Sequence, residues 1–512
     1  MPSLSDAAGR HAVIDRRAGH YLCFPDVIQA KDGRLIVAYN ESDKHINPTR
    51  RVAMVSQSFD LGRTWSEPHR LDSPTSHCPR LVRLDDELLI ADASHIFHRS
   101  RDNGETWQAL LTTGFAHDML DRPMDLDGGV LLTTGHTHRG RAAPPAIRQA
   151  PAEQMVYRSE DGGETWVPLS IIARERNLVL CEASMILLPD GRIAALMREN
   201  SYVYEPMYLC LSDDRGETWS DPVPTPLIGH RPTLGMTSAG DMLVTYRNVG
   251  PDAGTCAWLG TLDELAGGFM VHGRSTPENP VLTPEGLRVA GEETGEHTVR
   301  YALRPLTDPR FARASLEAEV RVDMAGDNGC GLRLGTWWRI HPDRIVPEAE
   351  DASPVPIEPG RFHTLRLDYA DGGVTLSVDG EPAARVRVEA DHALARPILF
   401  GAPYPFEDNA VDCTWKRVAL AIDEPRLGRE YRWDWHHSQG LPDARARGSV
   451  LELQNDRLAA APDFGYSGWT ELAEGGFYCA YHHGGGSEPG YEPLLTSRVM
   501  GIRFSREDFT KI

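Results

Sequence analysis

One eight-residue pattern, S-x-D-x-G-x-T-W, occurs four times in the first half of this 512-residue chain. The copies begin at Ser58, Ser100, Ser159 and Ser212, so successive starts lie 42, 59 and 53 residues apart. In each copy the Ser and Asp side chains can accept backbone N–H groups of a tight turn, while the Gly supplies a positive φ. A period of this length is typical of β-propellers, in which each repeat is one four-stranded blade.

A second repeat consists of an apolar alternating strand, a turn of the Asp-Gly type and another apolar strand. It occurs six times and therefore predicts six blades. Five copies lie between about residue 20 and residue 285, and the sixth follows only after about residue 450. The six hairpins begin at Phe24, Cys78, Leu120, Glu182, Arg231 and Tyr466.

The stretch between the fifth and sixth hairpins lacks the eight-residue pattern and contains short alternating segments such as SLEAEVRVDM and TWKRVALAID. Such segments predict an antiparallel β-sandwich. We therefore predict an all-β chain, a six-bladed β-propeller with a jelly-roll or β-sandwich domain inserted between blades five and six. Blades one to five are assigned to 1–285, the insert to 286–430, and blade six with ring closure to 431–512. The segment HAVIDRR, 11–17, is expected to pair with the C-terminal segment and close the ring.

Composition narrows the classes of partner. With 53 Lys and Arg against 74 Asp and Glu, the net charge of −21 argues against nucleic acid and anionic membranes as partners. No run reaches transmembrane length, and the N-terminus lacks an apolar signal region, so we expect a cytoplasmic protein, or a secreted one if a signal was trimmed. Eight scattered cysteines predict reduced, mostly buried thiols. No cofactor or metal is expected, because the histidines lack zinc-site spacing, and the oligomeric state stays open.

Residues that open the first strand of each blade should meet at one end of the central channel, although they lie far apart in the sequence. Counting eight residues back from the turn aligns Phe24, Glu182, Arg231 and Tyr466. A carboxylate, a guanidinium and a phenol are therefore expected to face one pocket. A phenol with a pKa near ~10 is a poor nucleophile at neutral pH unless a nearby carboxylate takes its proton.

Further polar residues stand near the strand starts, where arginines could hold an acidic group of a polyhydroxylated ligand. The alternative is that some of them only bridge neighbouring blades. These candidates are His77, Arg80, His117, Asp118, Arg122, His136, His138 and His230.

The eight-residue pattern resembles the Asp-box, or BNR, repeats of the sialidase superfamily. Those enzymes use a tyrosine nucleophile in a Tyr-Ser strand of the last blade and activate it with a glutamate from another blade. The matching positions here are Tyr466-Ser467, Glu182-Ala183-Ser184, Asp190-Gly191-Arg192 and Arg198. The resemblance implies an exo-acting, retaining glycoside hydrolase with Tyr466 as nucleophile, Glu182 as its base and Arg198 as a substrate ligand. The phrase TLRLDYADGGVTLSVDG in the insert resembles laminin-G and concanavalin-like domains, which implies either a carbohydrate-contacting or a purely structural wing.

The chain also departs from the sialidase pattern. Sialidases clamp the sialate carboxylate with three arginines, and Cys23 stands where the first is expected. Arg231 and Arg247 replace the third by position only. The family's acid aspartate lies in a loop that here reads NESDKH, so Asp43 and His45 are both candidates for the general acid. The loss of the first arginine argues against sialic acid and favours another acidic or a neutral terminal sugar.

Two other functions fit the same residues. A propeller-type polysaccharide lyase would use Tyr466, His230 and Arg231 to remove the proton beside a uronate carboxylate. A non-catalytic glycan-binding propeller would bind a carbohydrate without cleaving it. An unsaturated uronate product would identify the lyase, and binding without turnover would identify the binding protein.

Overall fold

The structure is a computed structural model. It describes residues 2–127, 129–136, 154–173, 179–200, 206–249, 253–274, 279–291, 299–304, 306, 309–350, 352–388, 397–402, 410–425, 428–455, 463–484, 492 and 494–509. His138 lies outside these ranges.

Six four-stranded antiparallel sheets form the propeller, which confirms the predicted fold class. The strands of blades one to three are, in turn, Tyr21–Gln29, Leu35–Ser42, Arg51–Ser58, His69–Arg70; Arg80–Leu84, Glu87–Ala91, Ile96–Ser100, Gln108–Leu111; and Met124–Asp127, Val130–His136, Gln154–Ser159, Val167–Ile171. Those of blades four to six are Leu180–Leu187, Ile193–Glu199, Tyr208–Ser212, Val223–Pro224; Gly229–Met236, Met242–Asn248, Gly254–Gly260, Val450–Asn455; and Phe464–Glu471, Phe477–His483, Arg498–Phe504, His11–Asp15.

The Asp-box motifs form the turns after the third strand of blades one to four. In the first copy the Gly62 N–H donates to Ser58 Oγ at 2.8 Å, and the Thr64 N–H donates to Asp60 Oδ1 at 2.9 Å. The Thr64 hydroxyl donates to Asp60 Oδ2 at 2.6 Å, and Gly62 has a φ of 83°. The other three copies repeat this network. The motif thus stabilises an outer turn, as predicted, and takes no part in the channel.

The ring closes through the N-terminal segment, as the sequence predicted. His11–Asp15 is the outermost strand of blade six and pairs antiparallel with Arg498–Phe504. Blade six therefore combines strands from both ends of the chain, and Arg498–Phe504 is paired on both sides and is not an edge strand.

The remaining strands form two further sheets. One contains His272–Arg274, Val299–Ala302, Leu399–Ala402, Gly331–Leu334, Thr336–Ile340, Arg344–Pro347 and Val355–Pro356. The other contains Val281–Thr283, Gly286–Gly291, Val411–Glu424, Arg313–Ala325, His363–Ala370, Gly373–Val378 and Glu381–Arg387, with Arg429–His436 added beside Val411–Glu424. Buried residues of both sheets, including Trp338, Phe400, Leu367 and Trp415, share one hydrophobic core. The two sheets therefore pack face to face.

The point of insertion differs from the one predicted. Val450–Asn455 pairs with Gly254–Gly260 and is the fourth strand of blade five. The additional sheets therefore interrupt blade five after its third strand. They include His272–Arg274 and Val281–Thr283, before the predicted start at 286, and Arg429–His436, which extends past the predicted end at 430, while Val450–Asn455 completes blade five and does not begin blade six. The strand VLELQN carries neither a hairpin turn nor an Asp box, so no pattern in the sequence assigned it to blade five.

Helices are few and short: Leu262–Leu265 and Ala444–Ser449 are α-helical, and Ala8–Arg10, His437–Gln439 and Arg506–Asp508 are 3-10 turns. Within the described residues no helix is long and apolar enough to cross a membrane. All eight cysteines are buried, and none is in a disulfide.

The first strands of four blades carry a β-bulge near their start. The pairing register shifts between Cys23 and Asp26, Cys181 and Ser184, His230 and Thr233, and Phe464 and Ser467. Positive φ angles mark the same level of the channel, at Phe24 (55°), Cys78 (51°), Met119 (53°), Glu182 (47°), Arg231 (48°) and Gly465 (83°). Left-handed backbone at a non-glycine residue costs about 1–3 kcal/mol and is concentrated at functional sites. The bulges therefore indicate that the functional site lies at this end of the channel.

Candidate active site

A cavity of about 580 Å³ opens at the bulged ends of the first strands. The sequence candidates among its lining residues are Glu182, Arg198, Tyr466, His45 and His77. The other lining residues are Phe24, Ile46, Asn47, Pro48, Arg51, Cys78, Met119 and Asn200. Glu182 and Tyr466, which the register count aligned, come from blades four and six and meet across the channel.

Glu182 and Tyr466 lie within contact of each other. The Tyr466 hydroxyl is 3.4 Å from Glu182 Oε1, at the long end of a hydrogen bond. Both side chains are buried, Glu182 with 2% and Tyr466 with 8% of its surface exposed. Burial, and next the charge of Glu182, raise the pKa of Tyr466 to about 12, although the cationic Arg198 and Arg247 act in the opposite direction. The phenol is therefore neutral at rest and needs a proton acceptor in order to react.

Arg198 connects the two groups. Its Nη1 donates to Glu182 Oε1 at 2.8 Å and to the Tyr466 oxygen at 3.2 Å, while Nη2 donates to Asn200 Oδ1 at 2.7 Å. Burial lowers the pKa of Arg198, but the charges of Glu182, Tyr466 and Cys181 and the hydrogen bond to Glu182 together outweigh burial, so that the pKa is raised overall. A permanent cation 3.2 Å from the phenol oxygen favours its ionised form.

Aromatic rings fix the position of Tyr466. His482 stacks on it at 5.6 Å between ring centroids with an interplanar angle of 14°, and Phe24 meets its edge at 5.0 Å. The Arg247 guanidinium lies 5.9 Å from the centre of the Tyr466 ring. These contacts leave the phenol little rotational freedom and present its hydroxyl to Glu182.

Arg231 reaches the channel only through its backbone. Its N–H donates to Glu182 Oε2 at 3.1 Å, which holds the second carboxylate oxygen. Its guanidinium lies against blade three, with Nη2 donating to the Leu120 carbonyl at 3.4 Å and 3.9 Å from Asp121 Oδ1. The left-handed bulge at Arg231 thus positions Glu182, and the guanidinium does not belong to the described cavity lining.

Arg80 and Arg122 join blades. Arg80 Nε donates to Asp121 Oδ1 at 3.1 Å, and Arg122 Nε donates to Asp26 Oδ2 at 2.8 Å. Asp26 is fully buried, and burial raises its pKa, but the charges of Arg122 and Arg80 together with the hydrogen bonds that Asp26 accepts outweigh burial, so that the pKa is lowered overall. Both arginines therefore follow the alternative expectation of bridging blades one, two and three, and neither lines the described cavity.

The two candidates for the general acid, Asp43 and His45, lie in different surroundings. Asp43 is exposed, and its carboxylate caps a loop by accepting the Thr49 hydroxyl at 2.8 Å and the Thr49 N–H at 3.0 Å. The Thr49 hydroxyl is the main reason that the pKa of Asp43 is lowered to about 2. His45 instead lines the cavity beside Phe24, with 5.7 Å between ring centroids.

The remaining sequence candidates are spread around the rim. His77 lines the cavity, with its ring 5.6 Å from that of Phe24. Asp118 is 67% exposed at its side chain, and its backbone carbonyl accepts the His136 N–H at 2.9 Å. His117 contacts the Tyr157 hydroxyl. His230 lies beside Arg247 in blade five, and burial, followed by the charges of Arg198 and Arg247, holds its pKa well below the usual range.

Sequence reasoning missed several residues of the site. Tyr21 and Asp463 form hydrogen bonds with His45, and Arg51 and Asn200 line the cavity. Asn200 follows Arg198 by two residues on the same strand end, which is the one signal that could have found it. Asp463 precedes Tyr466 by three residues, in the phrase DFGYS, and no repeat marks it.

Within the described residues no group of three or more His, Cys, Asp or Glu side chains could hold a metal ion. The site thus consists of a buried tyrosine, a glutamate and an arginine below a histidine at the rim.

A family model described as a BNR repeat-like domain matches residues 90–249. This range contains three of the four Asp boxes and most of blades two to five. The chain is a six-bladed β-propeller with a BNR repeat-like domain over residues 90–249. The Asp-box resemblance noted in the sequence is therefore confirmed for this propeller.

Solved structures similar to this BNR-repeat propeller include a Dyadobacter fermentans DSM 18053 protein of unknown function, with 18% identity and a TM-score of 0.43, covering 58% of this chain and 94% of that one. Trypanosoma rangeli sialidase in complex with sialic acid has 14% identity and a TM-score of 0.33, covering 80% and 83%. Hadza microbial sialidase Hz136 has 17% identity and a TM-score of 0.37, covering 49% and 59%. At these values the similarities carry no conclusion about activity.

Proposed function

We propose that this propeller is an exo-acting, retaining glycoside hydrolase that removes a terminal sugar through a covalent intermediate on Tyr466. The observation that carries the proposal is the buried contact of the Tyr466 hydroxyl with Glu182 Oε1 at 3.4 Å, bridged by Arg198. A binding site gains nothing from a phenol placed against a carboxylate that is positioned to take its proton. The residue pattern shared with sialidases supports the same assignment.

In the first step the Tyr466 oxygen attacks the anomeric carbon as the phenol proton passes to Glu182. The glycosidic C–O bond breaks, and the leaving oxygen takes a proton from the protonated His45 ring. In the second step water attacks the same carbon, gives a proton to His45, and the released Tyr466 oxygen recovers its proton from Glu182. Two displacements at one carbon retain its configuration.

His45 is preferred to Asp43 as the acid because His45 lines the cavity, whereas Asp43 is exposed and caps its own loop. A carboxylate whose pKa is about 2 is also unprotonated at neutral pH and has no proton to give.

The substrate is proposed to carry an acidic group that meets Arg51. Arg51 lines the cavity and its guanidinium lies 5.3 Å from the centre of the Phe24 ring, next to the position where Cys23 replaces a family arginine. No carboxylate of the described residues pairs with Arg51, while Arg198 already binds Glu182. Among the described residues that line the cavity, the arginines are Arg51 and Arg198, and Arg198 is the one paired with Glu182. This lining differs from the three-arginine clamp for sialate, so we infer another acidic terminal sugar.

A screen of 4-nitrophenyl glycosides, including sialic, 2-keto-3-deoxy and uronic types, tests the proposal. Tyr466→Phe is expected to reduce turnover by at least about 10³-fold, because no covalent intermediate forms. Tyr478→Phe is the matched control: Tyr478 is a buried tyrosine of the same blade whose hydroxyl donates to the Gly62 carbonyl away from the cavity. Wild-type turnover in Tyr466→Phe would refute the mechanism.

The same screen separates the alternatives. An unsaturated uronate product would establish the lyase, although the His230 and Arg231 side chains proposed for it are not among the described lining residues. Sugar binding without turnover by the wild type would establish a glycan-binding propeller.

A further inference from the structure

Below the rim of the cavity, four side chains from blades one and six form a hydrogen-bonded cluster. Asp463 lies just before the first strand of blade six and is 1% exposed. Its carboxylate contacts His45 from the loop of blade one, Tyr21 from the first strand of blade one and His482 from the second strand of blade six.

The geometry fixes the direction of each hydrogen bond. Both oxygens of Asp463 are 3.0 Å from His45 Nδ1, and Oδ2 accepts the Tyr21 hydroxyl at 2.5 Å. The Tyr21 oxygen is also 2.5 Å from His45 Nδ1. Because the single hydroxyl proton of Tyr21 goes to Asp463, its oxygen can only accept from His45. Every partner of Nδ1 is thus an acceptor, and Nδ1 must carry the proton.

Asp463 stays ionised in this setting. Burial raises its pKa, but hydrogen bonds from His45 and then from His482 outweigh burial, so that the pKa lies well below its usual range. A buried carboxylate of this kind stabilises a positive charge on the ring that it contacts.

The backbone around His45 holds the ring in register with the carboxylate. The His45 N–H donates to the Leu494 carbonyl at 2.9 Å, and Arg51 Nη2 donates to the His45 carbonyl at 2.9 Å. With Nδ1 directed to Asp463, the opposite nitrogen Nε2 is the one available to the cavity that His45 lines.

We propose that Asp463 is a positioning residue that fixes His45 in the Nδ1–H tautomer and stabilises its protonated form, so that Nε2 delivers and recovers the proton of the glycosidic oxygen. This inference rests on the proposed hydrolase, since it assigns the acid of that reaction. Asp463 does not touch the substrate, and it acts only through the histidine. The charged and titratable groups that face His45 and Asp463 are Tyr21, Cys23, His482, Arg51 and Arg247.

Kinetics of Asp463→Asn provide the first test. The amide keeps the shape of the side chain but removes its charge, so we expect kcat/KM on a methyl glycoside to fall by about 10²–10⁴-fold. The loss on the 4-nitrophenyl glycoside of the same sugar should be smaller, because 4-nitrophenolate is a better leaving group and needs less protonation. The alkaline limb of the pH profile should move to lower pH, because the protonated ring loses its counter-charge. Asp463→Glu should recover part of the activity.

Asp43→Asn is the matched control and should keep both the wild-type pH profile and the wild-type ratio between the two substrates. If Asp463→Asn keeps that profile and ratio while Tyr466→Phe is inactive, the positioning role is refuted and the hydrolase stands. If Tyr466→Phe retains full turnover, the hydrolase mechanism fails first.

A second measurement needs neither a substrate nor a stable Asp463 variant. In the ligand-free wild-type protein labelled with ¹⁵N-histidine, the His45 signals, assigned with His45→Gln, should report the Nδ1–H tautomer at alkaline pH. A predominant Nε2–H tautomer would overturn the inference.

Discussion

Gly465 offers a quantitative test of how the channel is built. It precedes Tyr466 in the blade-six bulge with a φ of 83°, and a Cβ there would lie 2.9 Å from Arg247 Cα and 3.0 Å from Arg247 Cβ. Left-handed backbone costs an alanine about 1–2 kcal/mol. Carbon atoms prefer a separation of about 3.5–4.0 Å, so blades five and six must also move apart by roughly half an ångström or more. Such overpacking costs about 1–3 kcal/mol.

Gly465→Ala is therefore expected to destabilise the propeller by about 2–5 kcal/mol. Gly240→Ala is the matched control, because Gly240 has a φ of 89° in the turn of blade five and a Cβ there would meet no atom within 4 Å. Only the backbone term of about 1–2 kcal/mol applies to it. The difference of about 1–3 kcal/mol isolates the approach of Arg247 to Gly465.

The assay is denaturant unfolding of both variants and the wild type, followed by tryptophan fluorescence, with the first cooperative transition compared because the chain has more than one core. In Gly465→Ala, turnover should also fall, since the displaced strand carries Tyr466. Equal destabilisation of the two variants would refute the reasoning, because it would mean that the channel can open at Gly465 without cost.

Three further outcomes are expected. Burial raises the pKa of Tyr466 to about 12, above its unfolded value of about 10, so its contribution to stability is complete below about pH 10 and roughly 3 kcal/mol is lost towards pH 12. Unfolding curves at about pH 9 and 11 should show this component in the wild type and not in Tyr466→Phe. The pKa of Asp60 is lowered to about 2, chiefly by the Thr64 hydroxyl, so the contribution of Asp60 to folding stability is present above about pH 4 and is lost as the pH falls towards 2. In an acid titration followed by circular dichroism, Asp60→Asn should therefore lose less stability than the wild type. Arg122→Met leaves the buried Asp26 with one partner fewer and should lower the free energy of unfolding, measured in urea, by about 3–5 kcal/mol. Arg101→Met, at an exposed ion pair with Glu87, is the control and should change the free energy of unfolding by less than about 1 kcal/mol.

The propeller could be predicted from the sequence because its signals are local and repeated. The Asp-box turns and the hairpins each lie within a few residues of chain, and a fixed count from the turn placed Glu182 and Tyr466 opposite each other. The fourth strand of blade five, Val450–Asn455, could not be predicted this way, because its pairing partner Gly254–Gly260 is almost two hundred residues away and no turn connects them.

The dependence on local patterns also explains which residues of the site the sequence did not predict. The register predicts which residues reach the channel but not the direction of each side chain, since the bulges alter it locally. Arg231 is in the predicted register, yet its left-handed backbone turns the amide towards Glu182 and leaves the guanidinium on blade three. The contact of Asp463 with His45 joins residues 418 positions apart and depends on a loop conformation that no periodicity encodes.

The arginines of the channel show that an arginine near the start of a first strand is not necessarily a ligand-binding residue. Where six strands converge, water is excluded, and a guanidinium placed there must have a carboxylate partner. Asp26 and Asp121 supply those partners for Arg80 and Arg122, so each arginine completes a neutral contact between blades. An arginine available for a substrate must instead lie at the rim, where solvent or ligand can satisfy it. Arg51 meets this condition, which is why the search for an acidic substrate should vary Arg51 before any arginine of the channel wall.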